Sequence, residues 1–353
     1  MARPIASARC CGRARASRPL HRPADRIPRG DPAMQVPLLV DDFLRRPAQL
    51  YPHKTAIIDG ALRFSYAQYA ERVHRLANAL LALGVRKGDR VCILSPNSHF
   101  FLESFYGTSL IGAILVPLNY RLTSEDHQYI IDHAGVKVVL ADHEYTDVVD
   151  RIRGSLPKVV HCVVANDAAI APPPGWHDWN ALLAAAAPAP PPPVLREEND
   201  VVSINYTSGT TARPKGVMLT HRNCTINAYG LIAHLRVAHE DVELWTLPMF
   251  HCNGWGGVYA LTGMGGTHVV LRAVDGRRIY ELVAEHGVTF ACMAPAVLAT
   301  VLNYPDKARH AIRTRPRLVV AGAPPPAPFI ERSSVSSAGS SSSSTGSPRL
   351  RRC

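Results

Sequence analysis

Tyr206-Thr-Ser-Gly-Thr-Thr-Ala-Arg-Pro-Lys-Gly216 follows the apolar run Val201–Asn205 and precedes a helix-forming stretch, Thr220–Leu235. Gly209 and the small residues around it let backbone N–H groups approach an anion closely, while Thr207, Ser208, Thr210 and Thr211 offer hydroxyl donors. Lys215, next to Gly216, adds a positive charge. A strand leading through a Gly- and hydroxyl-rich loop into a helix is a phosphate-binding arrangement of α/β proteins. It is not a generic Walker A loop, because that motif needs Gly-Lys-Ser/Thr and here Lys215 lies between Pro214 and Gly216. A plain polar turn is the competing explanation. Eleven residues in this order, Pro-Lys-Gly included, argue against it.

The same rhythm extends in both directions. Tyr69, Val73, Leu76, Leu80 and Leu83 recur at helical spacing, and Gly84 supplies a stop signal. Arg90–Leu94, Ile114–Val116 and Lys137–Leu140 read as strands, with a helix over 124–134 between the last two. Beyond the loop, strands are expected at Glu243–Leu247, Val288–Ala291 and Leu318–Val320, and a helix at Gly276–His286. Short apolar strands alternating with helices predict an α/β fold with mostly parallel sheets, divided into two α/β halves. Between the halves, 168–193 is rich in Ala and Pro, and Pro190–Pro193 is unbroken. It reads as a surface connector, with Trp176 and Trp179 pinning it to the body.

The net charge of +11 would suggest an anionic partner, but it is unevenly placed. Residues 1–33 carry eight Arg against Asp25 and Asp31, residues 331–353 carry four Arg against Glu331, and the body between is close to neutral. No basic stripe with interleaved aromatics runs through that body, which argues against nucleic acid. The eight cysteines form no CxxC pair and no regular framework, favouring a reducing, cytoplasmic setting. His221 with Cys224 and His251 with Cys252 fit no standard zinc spacing, so no metal ligand is assigned. Phe105–Leu118 is the longest apolar stretch, too short to cross a membrane. The Arg-rich start reads as an unstructured extension, a transit peptide or upstream sequence with Met34 as the true start. Residues 331–353 include ten Ser and no apolar periodicity, and are expected to be disordered or frameshifted.

The stretch from Tyr206 to Asn223 resembles the phosphate-binding signature of the acyl-adenylate-forming superfamily, which includes acyl-CoA synthetases, adenylation domains and luciferases. Leu247–Trp255, Gly265–Leu271, Ala294–Val297 and Ala321–Pro324 resemble its later elements in the right order, so the likeness covers about Leu38 to Ile330. The resemblance implies the large N-terminal domain of such enzymes and activation of a short- to medium-chain carboxylic acid with ATP, before transfer to CoA. Thr207–Thr211, Lys215 and Gly216 would then hold phosphates, and Gly322, Ala323 and Pro324 would lie along the adenine. His251 would sit beside the reacting carboxylate. Phe250, Asn253, Gly254 and Trp255 would shape the acid site, although a core role for His251 and a packing role for the glycines stay open.

Enzymes resembling this chain continue into Tyr-Gly-x-Thr-Glu, whose Glu helps hold Mg2+, then an Asp for the ribose and a small domain with a catalytic Lys. None of these follows Ile330. The expectation is an incomplete domain over 34–330, poorly active alone and with an open strand edge. The alternatives are an ATP-binding pseudoenzyme and an adenylation domain that loads a carrier protein.

Overall fold

The computed structural model describes residues 36–168, 170–207, 213–320, 322 and 349–352. Its strands are β1 (Thr55–Asp59), β2 (Leu62–Ser65), β3 (Arg90–Leu94), β4 (Ile114–Leu118), β5 (Val136–Asp142), β6 (His161–Ala165) and β7 (His177–Asp178). They continue with β8 (Val201–Thr207), β9 (Lys215–Thr220), β10 (Val242–Trp245), β11 (Thr267–Val270), β12 (Phe290–Met293), β13 (Arg317–Val320) and β14 (Arg349–Arg352). Among the described residues these form two seven-stranded sheets, ordered β14-β13-β12-β10-β11-β1-β2 and β7-β6-β5-β3-β4-β8-β9. Neighbours are parallel except in the edge hairpins β1–β2 and β8–β9. The expected fold class, α/β with mostly parallel sheets, is the one observed.

Local chemistry fixes the helices. Ser65, Thr123 and Thr220 each close a capping box with the residue three positions on, satisfying N–H groups that the first turn leaves open. Helix Ser124–Ala134 ends at left-handed Gly135 (φ 64°). Helix His99–Leu110 has eleven buried residues, so it is enclosed on every side and lies inside the protein. It approaches helix Tyr66–Ala82 so closely that a Cβ on Gly107 would stand 2.7 Å from Leu76 Cδ2. Side chains of both sheets, such as Ile57, Val270, Val91 and Leu140, meet these helices in one core. Each fully buried large apolar side chain there contributes about 1.5–3 kcal/mol.

Four expectations need correction. The two halves are not successive segments, because hairpin β1–β2 joins the sheet of β10–β13, whereas β8–β9 joins the sheet of β3–β6. Parallel order across an open sheet lets distant segments become neighbours, and strand spacing in the chain does not encode that order. The connector is partly built: β7 and helix Trp179–Ala185 lie within it, and Trp176 and Trp179 are buried as expected. The edge of β13 is not open, since Arg349–Arg352 pairs with it in parallel. The same pairing places those four residues in a strand, where the Ser-rich segment was expected to be disordered. The rest of that segment, and residues 1–35, lie outside the described residues.

Candidate active site

The phosphate motif spans two paired strands. β8 and β9 pair antiparallel with Thr207 opposite Lys215, and both side chains are exposed at the open end. The expected passage from strand through loop into helix is therefore interrupted by β9, which stands between the motif and the next helix. Helix His221–Leu235 is capped instead by Thr220. Gly216 is needed for packing, because a Cβ there would lie 2.9 Å from Ile204 Cγ2 and 3.1 Å from the Tyr206 ring. Tyr206 shares a 2.7 Å hydrogen bond with His133 Nδ1, and the Arg213 guanidinium lies 5.0 Å above the Tyr129 ring. These contacts anchor the hairpin to helix Ser124–Ala134. Burial pushes the Tyr206 hydroxyl up to about 12. Ser208, Gly209, Thr210 and Thr211 lie outside the described residues, as do Ala323 and Pro324; Gly322 is exposed with φ 93°.

A second wall is built from Cys252–Gly256. All five residues have positive φ, at 50°, 51°, 56°, 58° and 82°, so the chain makes a left-handed turn. That conformation costs an L-residue roughly 1–2 kcal/mol, a penalty that falls on Cys252, Asn253 and Trp255 and is spared at the glycines. Gly254 is irreplaceable on a second ground, since a Cβ there would stand 2.4 Å from Trp245 Cζ3. Asn253 is buried, and its Oδ1 accepts hydrogen bonds from Ser203 Oγ (3.2 Å) and Asn205 Nδ2 (3.1 Å). Asn227 Nδ2 donates to the Trp255 carbonyl at 2.7 Å. The turn is thus clamped to β8 and to helix His221–Leu235. Strain held by surrounding structure is common at ligand sites.

Between the two walls lies a cleft of about 750 Å3. Thr207, Phe250, His251, Asn253 and Trp255 of the expected site all line it. His251 is exposed, and its ring has no hydrogen-bond partner among the described residues, so the core role left open for it does not apply. Gly254 serves packing, and the Asn253 side chain is committed to the wall. Asn223, Cys224, Asn227 and Leu231 also line the cleft and were not expected, and Tyr259 joins them. The first four recur at three- and four-residue spacing on one face of a helix, a periodicity that could have marked them as lining.

A match to the AMP-binding enzyme family covers residues 44–337. The chain belongs to that family. It is 33% identical over 311 residues to a peroxisomal butyrate–CoA ligase of Arabidopsis thaliana, covering 85% of this chain and 54% of that protein. The inhibitor-bound N-terminal domain of FACL13 from Mycobacterium tuberculosis superposes with a TM-score of 0.78 at 30% identity, over 85% of this chain and 73% of that one. An anthranilate CoA ligase, AuaEII, in complex with anthranoyl-AMP also gives 0.78, at 25% identity over 85% and 58%. The chain spans about half the length of the curated relatives it matches.

In this family member, charge is sparse around the cleft. Among its described lining residues there is no Asp or Glu. Among the described residues one group could gather a cation, Asp142, His143 and Glu144. Arg272 already occupies it, at 2.9 Å from Asp142 and 3.3 Å from Glu144. The described residues therefore do not fit a Mg2+ seat. Behind the turn, His268 accepts from Trp245 Nε1 and shares a 2.9 Å bond with Thr262, and burial pushes its imidazole down to about 3. No helix among the described residues is long and apolar enough to cross a membrane.

Proposed function

We propose that the chain supplies the ATP- and acid-binding part of an acid–CoA ligase that activates a short- to medium-chain carboxylic acid. A carboxylate oxygen attacks the α-phosphorus of ATP, forming the acyl adenylate and releasing pyrophosphate; the CoA thiol then displaces AMP. The observation that carries this reading is the cleft between a hydroxyl- and Lys-bearing hairpin and a mostly apolar pocket, with His251 on its rim. The names of the relatives support the same chemistry.

Thr207 and Lys215, with Ser208, Gly209, Thr210, Thr211 and Gly216, would hold the β- and γ-phosphates through charge-assisted hydrogen bonds. Such bonds offset the charge that develops on pyrophosphate as it leaves. Gly322, Ala323 and Pro324 would leave room for the adenine. His251 would bond the reacting carboxylate, and Phe250 and Trp255 would cover its chain. Since the described residues give Mg2+ no seat, no step is assigned to it. Cys92, Cys162, Cys224 and Cys252 form no disulfide, in keeping with the reducing, cytoplasmic setting proposed for the chain.

Calorimetric titration of ATP and of butanoate into the 353-residue chain tests this. ATP binding is expected to weaken about tenfold or more in Lys215→Ala, the loss of one charge-assisted contact, with butanoate binding unchanged. Absence of binding by both ligands, or an unaltered ATP affinity in Lys215→Ala, refutes the assignment.

A further inference from the structure

Glu243 lies on β10, on the side that faces helix Gly257–Met264, and is 2% exposed. Its Oε2 has no hydrogen-bond partner among the described residues. Both carboxyl oxygens point toward Gly257, each 3.7 Å from where a Cβ would stand on that glycine. The neighbouring polar groups are already paired, because Trp245, His268 and Thr262 form a chain of hydrogen bonds that does not include Glu243. A buried carboxyl without a partner is penalised by desolvation, and natural interiors rarely keep one idle.

The carboxyl lines a small void with room for about one water molecule. Leu231, Leu235, Val237, Ala260, Leu261 and Phe290 make most of that void apolar. Trp255 and Leu231 line both the void and the acid cleft, so a side chain of the strained turn is the partition between them. The Trp255 indole N–H has no hydrogen-bond partner among the described residues, so that partition can swing without breaking one.

Resting on the acid-activating reading above, we propose that the acid site continues past Trp255 to Glu243, which selects acids bearing a hydroxyl at the end remote from the reacting carboxylate. A hydroxyl has the size of the single water that the void admits. It can both donate to and accept from the Glu243 carboxyl. An ammonium group is a poorer occupant, because the apolar lining cannot replace its hydration. Burial raises the carboxyl well above the usual carboxylate range, so it meets the substrate as a neutral acid.

The test is calorimetric titration of the full chain with plain acids from butanoate to octanoate and with the ω-hydroxy acid of each length. At the length that reaches the void, the hydroxy acid is expected to bind about tenfold tighter than its plain counterpart. Glu243→Leu should abolish that preference and improve binding of the plain acid, while the isosteric Glu243→Gln keeps part of it. Equal binding of the two series at every length, or a preference that survives Glu243→Leu, overturns the role of Glu243 and leaves the acid-activating function standing. If neither series binds, that function falls as well.

Discussion

The two walls of the cleft are built on opposite principles. One is regular: β8, β9 and the capped helix His221–Leu235 follow each other with paired strands, a capping box and ordinary dihedrals. The other, Cys252–Gly256, is a left-handed turn whose shape is imposed from outside by Asn205, Asn227, Ser203 and Trp245. A regular wall can be altered residue by residue with local effects. A wall held in an unfavourable conformation transmits any change to its clamps, so the effects of substitution should differ sharply between the two.

The largest effect is expected at Gly254. Gly254→Val combines left-handed strain with a Cβ driven into the Trp245 ring, and should destabilise by about 3 kcal/mol or more. Denaturant titration would show it as a large fall in midpoint or as insoluble protein; a change within error would mean that the turn is not left-handed. Asn253→Ala should come next, at about 1–3 kcal/mol, because it removes the acceptor that Ser203 and Asn205 share and leaves both buried without it. On the regular wall, Tyr206→Phe deletes a solvent-exposed bond to His133 and should cost about 0.5 kcal/mol. A loss equal to that of Asn253→Ala would erase the distinction between the walls.

Glu243 gives the comparison a pH axis. Its folded-state carboxyl titrates well above its unfolded value, so folding favours the protonated form. That stabilisation relative to the charged form is complete below about pH 4 and is lost as pH rises toward the folded value. Glu243→Gln should therefore leave Tm nearly unchanged at pH 4 and raise it by a few degrees at pH 8. His268 works in the opposite sense: its depressed imidazole lets the unfolded chain bind the extra proton, so stability falls on acidification from about pH 6.5 toward 3. A Tm profile of Glu243→Gln parallel to that of the parent chain would show that Glu243 is not buried as described.

The regular parts of the fold were legible because periodicity and caps are local. Strand Arg90–Leu94 and helices Ser124–Ala134 and Gly276–His286 have the boundaries expected from sequence. The order of strands in the sheets was not legible, since it depends on contacts between segments such as β1 and β11 that are far apart in the chain. Thr207, His251 and Trp255, which line the cleft, were named from the sequence because the motif carries them in a fixed order. Asn253 and Gly254 were found by the same motif, yet their packing and clamping roles depend on Trp245 and β8 and could not be read from their identity. Glu243 escaped notice because one acidic residue in an apolar strand looks like an exposed edge position until the opposing helix is in place.

Hydrogen exchange with and without a non-cleavable butanoyl-adenylate analogue tests most directly whether the two walls enclose one acid- and nucleotide-binding site. Slowed exchange is expected in peptides covering β8 and β9 and in those covering residues 250–257, with little change in helix Ser124–Ala134 or in β12. Protection that omits residues 250–257, or none at all at saturating analogue, would contradict the assignment.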